Sequence, residues 1–284
     1  MTNKVEYGAI IVAVDGSRHS DVALDWAMRQ AETENRALVI VHAAGELSLR
    51  SLGARADEAR RELRIHGRRV TDRALGQVRK HNRDLDVRVT MKLGDPVSVL
   101  LGMSDSAYVM VLGSRGRGSI GSMLLGSVSA EVSAKARCPV VVVRRTEEPA
   151  ADRIIVGVDD SEISTAAVDF AFSEASWTHR PVTVIHANPL ERWSDWDRLP
   201  GQAASDGQLL LAEAVAGYAE KYPDVMQSVR VIQGEPAPVL VRESLSASMV
   251  VVGSRGRGPA KALLLGSTSR YVVEHAHCTV AVAR

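Results

Sequence analysis

The chain has 284 residues, and its 35 basic against 34 acidic side chains leave a formal net charge of +1. That balance gives no electrostatic reason to propose nucleic acid or an anionic membrane surface as the main partner. No apolar stretch approaches the ~18 residues a membrane span needs. The apolar run at 9–14 is cut by Asp15, too early for a signal peptide, so a cytoplasmic location is expected.

The length suits two domains of about 140 residues each. The first opens with a strand at 8–14 that ends on Asp15-Gly16-Ser17. A helix follows, with Ala23, Leu24, Ala27 and Ala31 on one face. A second strand at 37–42 ends on His42. A long helical segment spans roughly 50–82, where Asp57, Glu58, Glu62, Asp72 and Asp84 are interleaved with arginines and mark a solvated face. A third strand near 86–92 leads to Gly94-Asp95-Pro96, a helix start with proline where its missing N–H costs little. A fourth strand at 107–112, a glycine-rich loop, a helix from about Ser127 and a last strand at 139–143 complete the unit.

After an expected linker at 144–151 the same order returns. The strands fall at 153–158, 181–186, 227–233, 248–252 and 279–283. The helices comprise one with Ala167, Phe170, Ala171 and Ala175 on its inner face, a segment over 203–222, a short one after Gly234-Glu235-Pro236, and one from Ser267. Strands apolar on both faces and alternating with helices predict an α/β fold of two tandem Rossmann-like domains, 1–146 and 152–284. Each is expected to hold a five-stranded parallel sheet flanked by helices. Asp15 and Asp159 are 144 residues apart and the glycine loops 140, so the second half is four residues shorter between its second and third strands. It carries Trp193 and Trp196 there, read as packing under a long loop, with base stacking as the alternative.

The two glycine loops are the most informative feature. Gly113-Ser114-Arg115-Gly116-Arg117-Gly118-Ser119 and Gly253-Ser254-Arg255-Gly256-Arg257-Gly258 each follow a buried strand. In each, nine residues separate the second glycine of G-x-x-G from a G-S helix start, at Gly126-Ser127-Val128 and Gly266-Ser267-Thr268. Glycines let backbone N–H groups approach a ligand, and a helix N-terminus offers free donors to an anion. The arginines Arg115, Arg117, Arg255 and Arg257 can take phosphate oxygens or point into solvent. In an open α/β sheet ligands sit beyond the carboxyl ends of the strands. Asp15 and Asp159 belong to that rim and suit a ribose hydroxyl or Mg²⁺, since a carboxylate repels phosphate directly. Helix capping by Ser17 and Ser161 is the alternative for that turn.

In these strand-one V-D-G-S and V-D-D-S motifs, the H-A after strand two and G-x-x-G-(nine)-G-S, the chain resembles the universal stress protein family. The form it resembles is the tandem one, and the branch is ATP-binding. The resemblance implies up to two ATP per chain. It puts Asp15 and Asp159 near ribose or metal, and the backbone at Val41 and Ile185 near adenine. It puts Gly113, Gly116, Gly126, Ser127 and their equivalents Gly253, Gly256, Gly266, Ser267 on the phosphates. Ala13, where the second half has Gly157, implies a slightly tighter first site if that backbone approaches the nucleotide. The resemblance also implies edge pairing of the valine-rich last strands, within the chain and in a homodimer.

Three functions remain open at this level. A regulatory nucleotide-binding protein is favoured because neither glycine loop contains, before its G-S, the lysine of G-x-x-x-x-G-K-[ST]. No S-G-G-x-D-S stands in strand one, and no catalytic base is visible near the glycine loops. A slow Mg-dependent ATPase or nucleotidyl transferase would use Asp15 or Asp159 to hold Mg²⁺. An interaction scaffold with vestigial pockets is the third. His42 and His186 read as satisfied core-edge residues, and His275-Ala-His277 lacks the spacing of a helical metal pair. Cys138 and Cys278 read as buried apolar residues, with a disulfide between them as the alternative.

Overall fold

Valine, isoleucine and small residues form the strands of the first unit: β1 (Ala9–Ala13), β2 (Leu38–Ala44), β3 (Val87–Leu93), β4 (Ala107–Gly113) and β5 (Val140–Val143). All pair in parallel, in the order β3-β2-β1-β4-β5. The computed structural model describes residues 8–44, 56–116, 125–144, 152–189, 202–256 and 265–284. The chain divides into two compact units, residues 1–144 and 145–284.

In the first unit the connections are α1 (Arg18–Thr33), α2 (Ala56–His81), α3 (Pro96–Leu101) and α4 (Ser127–Lys135). They cover the sheet, so Ile10, Ile11, Val12, Met110 and Val111 are sealed from solvent. Ala23, Leu24, Ala27 and Ala31 form the buried face of α1 as the helical period requires. α2 begins with Asp57 and Glu58 and ends with Arg79, Lys80 and His81, which complements its dipole. Asp95 caps α3 by accepting from Ser98 N at 2.8 Å, and Pro96 takes the first helical position.

The second unit repeats this with β6 (Ile154–Gly157), β7 (Val182–Asn188), β8 (Gln227–Gln233), β9 (Met249–Gly253) and β10 (Thr279–Ala283), again parallel. Its helices are α5 (Glu162–Thr178), α6 (Gln202–Ala214), α7 (Tyr218–Lys221), α8 (Pro236–Glu243) and α9 (Ser267–His275), with a 3₁₀ turn at Ser244–Ser246. α1 and α5 both end on a left-handed residue at equivalent positions, Asn35 and His179.

Two expectations change. The inner face of α5 carries Phe172, fully buried, whereas Phe170 is only half-buried. The segment expected to be one helix over 203–222 breaks after Ala214, where Gly217 takes φ +78 and α7 restarts. The break lays the Tyr218 ring 4.7 Å from that of Phe172, with Tyr222 at 6.0 Å. An aromatic cluster offsets the lost helical hydrogen bonds.

Candidate functional site

Both strand-one acidic residues sit at the carboxyl end of the sheet where strand order reverses, between β1 and β4 in one unit and β6 and β9 in the other. This is the place where open α/β sheets hold ligands. In each unit the aspartate reaches the glycine loop. A Cβ built on Gly116 would lie 2.8 Å from Asp15 Oδ2, and one on Gly256 only 2.5 Å from Asp159 Oδ2. Residues about 100 positions apart in sequence thus converge, and glycine is required because the carboxylate occupies the space a side chain would need.

The first glycine of each loop serves packing. A Cβ on Gly113 would meet the backbone carbon and oxygen of His19 at 2.7 Å, and one on Gly253 would meet Ile163 Cγ2 at 2.7 Å. These glycines let α1 and α5 settle against the sheet. The loop ends are then tied together: Gly126 N donates to Ser114 O at 2.8 Å, and Gly266 N to Ser254 O at 2.9 Å. Ser129 Oγ donates to Gly113 O at 2.7 Å and Ser269 Oγ to Gly253 O at 2.5 Å, fixing the start of each closing helix to its strand. Gly126 and Gly266 are N-caps without a side-chain cap, so the first turns of α4 and α9 face the loop with their N–H groups. Ser127 and Ser267 are exposed, with Val128 and Thr268 half-buried behind them. Arg115 is half-buried and Arg255 exposed, while Arg117, Gly118, Ser119, Arg257 and Gly258 lie outside the described residues, as do Trp193 and Trp196.

The turn after strand one differs between units. Gly16 adopts φ +81, and Ser17 caps α1 by accepting from Ser20 N at 3.2 Å. Asp15 Oδ1 accepts from Ser17 N at 2.9 Å. Asp160 keeps an ordinary φ, and Ser161 turns its hydroxyl onto Asp159 Oδ1 instead of capping α5. Ser164 Oγ donates to the same oxygen at 2.8 Å. The capping alternative therefore holds for Ser17 and not for Ser161.

The Val41 and Ile185 carbonyls accept from Val14 N and Val158 N at 2.8 and 2.9 Å. The Nδ1 atoms of His42 and His186 donate to the Val14 and Val158 carbonyls at 2.7 and 3.0 Å, so both histidines brace the strand-one turn. His42 is satisfied on that side only, because its buried Nε2 has no partner. A Cβ on Gly157 would meet Leu240 Cδ1 at 2.7 Å, although the first unit accommodates Ala13 with Leu100 at the equivalent position. Cys138 and Cys278 are buried free thiols.

One titratable group was not anticipated beside the first loop. His19 Nδ1 lies 3.4 Å from Ser114 Oγ. Burial, then Arg115 and Arg144, hold its pKa below the ordinary 6.5, against an upward pull from Asp15. The second unit has Ile163 at that position. Only the pairing of α1 with β4 brings His19 there, so no local sequence signal marked it.

A cleft of about 690 Å³ opens beside Asp159 between α5 and α6, bounded by His186, Gly207 and Leu210. Another, of about 640 Å³, lies at the amino ends of the first unit's strands, near Gly8, Ala37 and Asp86, away from the glycine loop. Among the described residues no three His, Cys, Asp or Glu side chains are grouped to hold a metal. No described helix is long and apolar enough to cross a membrane.

The profile of the Universal stress protein family matches residues 6–144 and again 150–284. The chain belongs to the universal stress protein family. Two universal stress proteins of Mycobacterium tuberculosis are 36% and 35% identical to it, with 97% of this chain and 96% of each relative covered. The crystal structure of a universal stress protein from Archaeoglobus fulgidus superposes with a TM-score of 0.73 at 20% identity, covering 99% of both chains. That likeness supports the tandem α/β fold deduced from the strand runs.

Proposed function

We propose that this family member holds adenine nucleotide, ATP foremost, at two sites, one in each unit. The observation that carries the reading is the convergence, made twice, of an aspartate onto a loop glycine whose missing Cβ its carboxylate replaces. The uncapped first turns of α4 and α9 supply N–H donors for phosphate. Asp15 and Asp159, at the rim rather than under the helix terminus, accept from ribose hydroxyls. Mg²⁺ fits only as a partner of the phosphates, with one carboxylate as protein ligand, which is the way this hard ion is commonly held on nucleotides.

The chain is read as a nucleotide-holding regulator. Calorimetric titration with ATP tests this: two equivalents bind, and Asp15→Ala with Asp159→Ala weakens both. Absence of binding refutes it. Phosphate release above that of the doubly substituted chain would move the reading to a slow ATPase. Homodimerisation is proposed from the valine-rich last strands, and light scattering at the mass of a single 30.6 kDa chain would contradict it.

A further inference from the structure

The two sites share their phosphate-facing parts. Both loops begin Gly-Ser-Arg-Gly-Arg-Gly, and both closing helices start Gly-Ser. Their side walls do not match. The cleft beside Asp159 is lined by the carboxylates of Asp159, Asp160, Glu162, Asp206 and Glu213, and no arginine or lysine faces it among the described residues. The corresponding positions of the first unit follow from the offsets, 144 residues ahead of α2 and 140 within it. The packing agrees with this alignment: a Cβ on Gly67 would meet His42 Cδ2 at 3.0 Å, and one on Gly207 would meet His186 Cδ2 at 3.2 Å. At the charged positions the first unit has Asp15, Arg18, Asp21, Arg69 and Arg73, with Gly16 in place of Asp160 and His66 in place of Asp206. Arg73 pairs with Asp21 at 2.6 Å, which neutralises the latter; Glu213 and Thr165 stand there in the second unit.

We infer that the wall charge makes the two sites discriminate differently by ligand charge: the first favours the nucleoside triphosphate over the monophosphate more strongly than the second does. The inference rests on the nucleotide reading of both sites. The formal wall charge is −5 in the second unit against +1 in the first, a difference of six. Lys261, in the second loop and outside the described residues, returns one. These side chains are largely exposed, so the interaction is screened. At a spacing of about 10 Å in water and physiological salt, five unit charges acting on the two extra charges of ATP over AMP give roughly tenfold discrimination. Identical phosphate grips cannot supply that difference, because they cancel between the units.

The test is calorimetric titration of the full chain with ATP and separately with AMP in magnesium-free buffer. ATP should bind in two classes separated by about tenfold or more, and AMP in classes closer together. Raising salt from about 50 to about 500 mM should narrow the ATP gap without any substitution. The variant Glu162→Arg, Asp206→His, Glu213→Arg places first-unit residues at exposed positions and should merge the two ATP classes, while AMP, with about half the charge of ATP, tightens at the second site by about half as much in free energy. Two sites with the same ratio of ATP to AMP affinity, or a gap indifferent to both salt and the substitutions, overturn this inference and leave the nucleotide sites standing. Failure of both ligands to bind overturns both readings.

Discussion

Replacing Gly116 or Gly256 by alanine puts a methyl against a carboxylate, and the structure says the two substitutions differ in cost. In the first unit the added carbon lies 2.8 Å from Asp15 Oδ2, well inside the roughly 3.5 Å of a relaxed contact. Asp15 must rotate, and the hydrogen bond it accepts from Ser17 N is lost. A bond to a charged group is worth about 1.5–3 kcal/mol. In the second unit the approach is 2.5 Å, and Asp159 Oδ1 also accepts from Ser161 N, Ser161 Oγ and Ser164 Oγ. Moving it breaks a network, so a cost of about twice that size is expected, tempered by non-additivity. At roughly 2–4 °C per kcal/mol, Gly116→Ala should lower the melting of its unit by about 5 °C and Gly256→Ala by about 10 °C or more. Thermal melts followed by circular dichroism, with nucleotide content counted in parallel, check both. Unshifted melting with full nucleotide content in both variants would show that the carboxylates do not occupy the glycine cradles.

Gly113→Ala meets helix backbone, which cannot swing aside as a side chain can. It should cost about 3 kcal/mol or more of fold stability in urea unfolding, no less than Gly256→Ala, and ATP affinity in the folded fraction should stay near that of the parent. Ser17→Ala removes a working cap and should destabilise the first unit by about 1 kcal/mol, whereas Ser161→Ala should act mainly on Asp159 and the ligand; equal effects on melting would contradict the difference in their hydrogen bonds. The lowered pKa of His19 means the unfolded chain binds more protons there below pH 6.5, so stability is intact above that value and falls as pH drops through it. Urea melts of His19→Asn across that window should show a shallower decline than the parent, and an unchanged slope would remove His19 from the account.

The parallel, helix-covered character of the sheets was legible because strands such as Gly8-Ala-Ile-Ile-Val-Ala-Val14 are apolar on both faces, whereas the strand order came only from the structure. Repetition located both loops for the same reason. Spacing could not separate the jobs of the glycines. Gly113 and Gly116 look alike in sequence, yet one is required by α1 and the other by Asp15. The Asp-Gly-Ser and Asp-Asp-Ser turns also read alike until the backbone at Gly16 turns to positive φ. The break at Gly217 depends on Phe172 lying two residues beyond the phenylalanine that periodicity selected. His19 and Ser114 meet only through the fold, 95 residues apart.

Mass spectrometry of the small molecules released when purified protein is denatured tests the central claim most directly. Adenine nucleotide approaching two per chain, falling to about one in Gly126→Val, is the predicted result. A chain that releases no nucleotide and takes up none on incubation with ATP would contradict it.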